Sequence, residues 1–127
     1  MPGNGPFDDP DAGVEPYNDR ELVSTLSRLV KVDRVSGEPV FQDRFGEVEP
    51  AAQAVALMLY RHVADSLGQL AGDVPVVAGW LVDHADIYVA DAKALPGELP
   101  FVVERRGRLE IPRDEFDEAV EYLADRT

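Results

Sequence analysis

The chain has 127 residues and a formal charge of -13, with fourteen Asp and eleven Glu set against ten Arg and two Lys, Lys31 and Lys93. That length supplies one hydrophobic core rather than two. The absence of cysteine excludes a disulfide framework, a thiolate nucleophile and a cysteine zinc site.

Residues 1–17 hold four prolines and three glycines without apolar periodicity, and read as a disordered acidic leader. Asp8, Asp9 and Asp11 stand where a secretion signal needs positive charge followed by an apolar run, so a cytoplasmic location is expected. The remainder, residues 18–127, is expected to be a single domain. Asn18 with Glu21 resembles a capping box, and Leu22, Leu26, Leu29 and Val30 follow at helical spacing, which predicts a helix over 19–29. Apolar alternation through Val30, Val32 and Val35, then Ser36-Gly37-Glu38-Pro39 and Val40-Phe41, predicts a short hairpin.

Glu49-Pro50 marks a helix start, and from Pro50 to Leu67 apolar residues cover most of the helical circumference up to Gly68. This is the central core helix. Its apolar run, Ala51 to Tyr60, is broken by Gln53 and closed by Arg61 and His62, well short of the ~20 residues of a membrane span. No membrane partner is expected. Asp73 can cap a short helix through Val76, Val77, Trp80 and Leu81, with Trp80 as its core anchor. Asp86 can cap a second over 87–95, with Ile87, Ala90 and Ala94 inward, Tyr88 and Leu95 as further candidates for that face, and Tyr88, Asp91, Ala92 and Lys93 on the side offered outward. Pro96-Gly97 is expected to end it. Residues 101–111 read as a β-hairpin turning near Arg106-Gly107. Pro112 opens a last amphipathic helix with Phe116, Ala119, Val120 and Leu123 on one face.

The predicted class is therefore α+β and mostly helical. The order of central helix, two short helices, a hairpin tipped by arginine and glycine, and a packing helix resembles the winged helix-turn-helix family over residues 49–126. More loosely, it resembles small proteins of halophilic archaea built on that plan. The resemblance implies a second short helix entering the major groove and a wing, 103–110, touching backbone or minor groove. The chain departs from the family in that second helix, which offers no Arg, Asn or Gln for paired hydrogen bonds to purines, and in the acidic turn Asp83-His84-Ala85-Asp86 before it.

Carboxylates hold water and cations while lysine exposes a long apolar stem, so the acid excess with few lysines fits a surface kept hydrated in concentrated salt. A charge of -13 ordinarily opposes nucleic acid, whose phosphates are met by Lys and Arg. At 1 M salt the Debye length is only about 3 Å, and local arginines then matter more than the total.

Arg105, Arg106 and Arg108 put three cations within four residues, the densest cationic cluster of the chain. A two-residue turn at Arg106-Gly107 would set Arg105 opposite Arg108, unfavourable unless an anion lies between them. A three-residue loop would instead pair Glu104 with Arg108 and neutralise the cluster.

His62 with Asp65, and Asp83 with His84 and Asp86, carry no recognised metal signature. Ser24, Thr25, Ser27, Ser36 and Ser66 lack any nucleophile motif, and no phosphate-binding loop precedes a helix. No enzyme activity, metal or cofactor is expected. The leading expectation is a non-enzymatic nucleic-acid binder that meets duplex DNA through Arg105, Arg106 and Arg108, with Tyr88 and Lys93 in support. The alternative is a protein-interaction or homodimerising module that uses Phe116, Val120 and Leu123 or the hydrophobic hairpin.

Overall fold

The structure, a computed structural model, describes residues 20–70 and 72–127. The leader and the Asn18 cap lie outside the described residues. The class is α+β and mostly helical, as the sequence predicts. The chain runs α1 (Arg20–Leu26), β1 (Val30–Val32), β2 (Pro39–Phe41), a 3-10 turn (Asp43–Glu47) and α2 (Pro50–Ser66). It continues through β3 (Val76–Val77), α3 (Ala78–His84), α4 (Val89–Glu98), β4 (Val103–Arg105) and β5 (Arg108–Glu110), and ends with a 3-10 turn (Arg113–Glu115) and α5 (Phe116–Ala124).

Helix α2 is the axis of the core. It is buried without interruption from Ala52 to His62, and Leu57, Leu59, Ala54 and Val55 are wholly excluded from solvent. Burying one such leucine contributes roughly 1.5–3 kcal/mol relative to exposing it. Pro50 starts the helix where no N–H is needed. Gly68, at φ 71°, ends it in a left-handed cap: the Gln69 N–H bonds the Ala64 carbonyl at 2.9 Å and the Gly68 N–H the Asp65 carbonyl at 3.0 Å.

Helices α1 and α5 pack on each other and on α2, while α3 and α4 pack together beside it. Helix α1 stops at Leu26, three residues earlier than predicted, and Leu29 reaches the core from the following turn. β1 and β2 form the expected antiparallel hairpin, with Val30 opposite Phe41 and Val32 opposite Pro39. Its turn is held against the rest of the molecule at Gly37 (φ 79°), where any Cβ would overlap the Gln69 carbonyl oxygen.

The second sheet has the order β3-β5-β4, antiparallel throughout. Residues 76–77 thus form a strand where the sequence suggests helix, and α3 begins only at Ala78 with Val77 as its N-cap. Asp73 does not cap it. Two β-branched residues pair with β5 because the core needs Val76 beside buried Leu109.

Helix α4 begins two residues later than predicted, with Tyr88 rather than Asp86 as its N-cap. Its inward residues are Ala92 and Leu95, preceded by buried Ile87, so Ala90 and Ala94 face solvent and Ala92 does not. Nor does Pro96 end it: the helix runs on to Glu98, and the Leu99 N–H closes on the Leu95 carbonyl at 2.8 Å. A 3-10 turn separates Pro112 from α5.

Candidate nucleic-acid interface

The interface candidate begins with the hairpin register. Val103 pairs with Glu110, Glu104 with Leu109, and Arg105 with Arg108, so the turn has two residues. Arg106 at φ 55° and Gly107 at φ 79° supply the two left-handed positions of a type I′ turn, whose twist matches that of the strands. The register that neutralises the cluster is thereby excluded. The Glu104 carboxylate instead accepts the Gly107 N–H at 2.8 Å and stabilises the turn itself.

Arg105 and Arg108 stand opposite each other, and strand alternation puts them on the sheet face that also carries half-exposed Val77. Glu104 and Leu109 share the other face. Arg105 and Arg106 are exposed and enter no ion pair among the described residues, whereas Arg108 bonds the Asp73 carboxylate at 2.9 Å. Both partners of that bridge are solvated, which limits its contribution to about 0–1 kcal/mol.

Lys93 lies elsewhere. It lines a groove of about 650 Å³ between α4 and the hairpin, with Val77, Val89, Pro96, Glu104 and Gly107. Tyr88 is 80% exposed at the start of α4. The expected site residues therefore divide into an outer arginine pair with Arg106 at the tip, and an inner groove that combines one lysine with one glutamate. Asp83, Asp86 and Asp91 are exposed around the α3–α4 turn and the first turn of α4, where they would oppose phosphate.

No family model, curated protein or solved structure matches this chain.

The expected protein-interaction face is spent within the molecule. Phe116, Val120 and Leu123 are buried against α1 and α2, because α5 has one apolar stripe and the core takes all of it. Among the described residues the exposed large apolar residues are instead Val35, Val40 and Phe41 of the first hairpin, Val77, Tyr88 and Val89 at or next to the groove, and Val23, Leu67 and Val82 elsewhere.

The imidazoles are committed as well. The His62 Nε2–H donates to the Ile111 carbonyl at 2.7 Å and the ring meets Phe116 edge-on at 4.8 Å. Burial pushes its pKa below the ordinary value despite that hydrogen bond. The His84 Nδ1–H donates to the Trp80 carbonyl at 2.8 Å. Among the described residues, no group of three His, Asp or Glu could hold a metal ion.

Gln53 and Arg61, which sequence periodicity passes over as interruptions of an apolar run, are the polar residues that shape the region. Gln53 is almost wholly buried. Its amide donates to the Phe45 carbonyl at 2.9 Å and the Val48 carbonyl at 3.4 Å, while its oxygen accepts the Asp86 N–H at 2.7 Å. One side chain thus ties the 3-10 turn and the α3–α4 turn to α2. Arg61 is buried too; its Nε–H bonds the Val74 carbonyl at 2.9 Å and an Nη2–H the Asp73 carbonyl, holding the segment that leads into β3. A polar residue inside an otherwise apolar helical run is the signal that could have marked both, since buried polar groups need partners.

Proposed function

We propose that the protein is a non-enzymatic, winged-helix-like nucleic-acid binder of a salt-rich cytoplasm, meeting the phosphate backbone of duplex DNA through the β4–β5 wing. The element order α2-β3-α3-α4-β4-β5, with β5 central in its sheet, supports the architecture. The observation that carries the reading is the Arg105–Arg108 pairing across a two-residue turn. Like charges directly opposite are destabilising, and an anion placed between them turns that repulsion into attraction. Arg106 at the tip adds a third donor fork of the kind that recognises phosphate. Tyr88 and Lys93 supply secondary contacts. With acids around α4 and no purine-reading side chains on it, contacts to the backbone dominate over base readout.

The test compares the parent with the double variant Arg105→Ala/Arg106→Ala for retention of duplex DNA at about 2 M KCl, where long-range repulsion by the acidic surface is screened. The parent should be retained and the variant lost. A parent that shows no retention, or a variant that binds as well as the parent, rejects the reading.

A protein-interaction module is the second reading, and the exposure of Val40 and Phe41 on β2 favours it. It predicts that the double variant leaves partner binding or self-association unchanged.

A further inference from the structure

A second cavity, of about 390 Å³, lies away from the wing, between the first hairpin, α2 and α3. Its walls include Phe41, Leu70 and Trp80, which are apolar, and Tyr60, Arg61 and His84, which are not. A cavity of this size accommodates a small organic ligand.

Arg61 sets its chemistry. The residue is 7% exposed, its guanidinium lies over the Trp80 ring at 4.7 Å, and it bonds only the two backbone carbonyls of Asp73 and Val74. Of five N–H donors, three have no partner among the described residues, and no carboxylate forms an ion pair with it there. The Asp73 charge acts on it from a distance, that carboxylate being bridged to Arg108; a buried cation with no carboxylate in contact is costly, and in proteins such a charge is usually paired. The other polar groups on the wall do not supply that pairing. Tyr60 spends its hydroxyl hydrogen on the Gly37 carbonyl. His84 is held by its Nδ1–H on the Trp80 carbonyl and stacks on the indole at 4.2 Å, leaving Nε2 as an acceptor. Glu38 is an acid on the same wall, exposed and forming no ion pair with Arg61.

We infer that this cavity binds a small planar aromatic monocarboxylate, its carboxylate on the unpaired donors of Arg61 and its ring against Trp80, Phe41 and Leu70. A planar guanidinium edge matches the two oxygens of a carboxylate. The aromatic walls match a ring. One available cation with Glu38 on the wall favours a single negative charge over the two of a phosphate monoester. This site uses none of the wing's arginines.

Trp80 is the sole tryptophan of the chain and reports on the cavity directly. The full-length protein is titrated with benzoate and, separately, with benzamide, its uncharged analogue, while Trp80 emission is followed. Benzoate should give a saturable change with a dissociation constant of about 0.1–5 mM, at least tenfold tighter than benzamide. Arg61→Gln, checked for folding by circular dichroism, should abolish that difference, and Arg105→Ala/Arg106→Ala should leave it intact. Equal affinity for the two compounds, or no saturable change up to about 50 mM benzoate, overturns the inference. Loss of benzoate binding in the wing variant also overturns it. If Arg61→Gln does not fold, the benzoate and benzamide titrations of the parent still decide between acceptance and rejection.

Discussion

Arg106 holds a backbone conformation, φ 55°, that glycine or asparagine adopts more readily, at a cost of about 1 kcal/mol for a long side chain. An arginine kept there, next to two others, is a local sacrifice of hairpin stability for charge at the tip. His62 makes a different compromise. Its folded pKa lies below the usual imidazole value of 6.5, so between those two values the unfolded chain holds the extra proton and the folded chain does not. The sign follows: the stability tied to neutral His62 is complete above about pH 6.5 and is lost as the pH falls through the window below it. Thermal unfolding measured between about pH 7.5 and 5.5 should therefore show a steeper loss for the parent than for His62→Gln, which retains an N–H for the Ile111 carbonyl. Parallel slopes would count against a buried neutral imidazole.

At the scale of elements, the α3–α4 turn depends on a single amide. Replacing Gln53 by leucine keeps the volume close but strands the Asp86 N–H and the carbonyls of Phe45 and Val48. Unpaired buried groups cost about 1–3 kcal/mol each where water cannot reach them. Gln53→Leu should lose about 2–4 kcal/mol in denaturant unfolding, and hydrogen exchange should rise first at Asp86 and in the 3-10 turn. Full stability would show that these contacts are replaceable.

The central helix, the first hairpin and the last helix were legible because each depends on a local pattern: a proline start and glycine stop, alternation about a turn, and one apolar stripe. What was not legible depends on partners distant in sequence. Val76-Val77 is too short to show alternation and becomes a strand only because β5 arrives to pair with it. Ile87 and Leu95 are buried at α4 as the sequence allows, but Ala92 takes the core position in place of Ala90 and Ala94, because alanine fits either side of a helix. The hairpin register was left open by the sequence, since both turn lengths suit Arg-Arg-Gly; Arg106 accepting a left-handed conformation decided it. Gln53 and Arg61 were missed because their partners are backbone groups, which have no sequence signature.

The molecule as a whole carries -13 charges, 25 acids against 12 Lys and Arg, and the ion pairs Arg44–Glu47, Arg108–Asp73 and Arg126–Glu49 each join solvated side chains. Most carboxylates are therefore balanced by solvent cations rather than by the protein. Among the described residues no helix is long and apolar enough to cross a membrane. In dilute buffer unscreened acids repel and loosen the compact state. Raising KCl from dilute buffer to about 1 M should raise the unfolding temperature by about 5 °C or more, equivalent to roughly 1 kcal/mol. An unfolding temperature insensitive to KCl would remove the halophilic reading of the composition.

The bridge between Arg108 and Asp73 alters how the wing exchanges ions with its surroundings. An arginine that lands on a phosphate normally frees one condensed cation, and each such release adds about 0.9 to the slope of log affinity against log salt. Arg105 and Arg106 are available for that exchange. Arg108 must first leave Asp73, whose freed carboxylate recruits a cation as the phosphate gives one up. If the wing meets phosphate as proposed, three arginines at the tip would count as about two in the salt dependence, nearer 1.8 than 2.7 in slope, and Asp73 would be the residue that sets the difference.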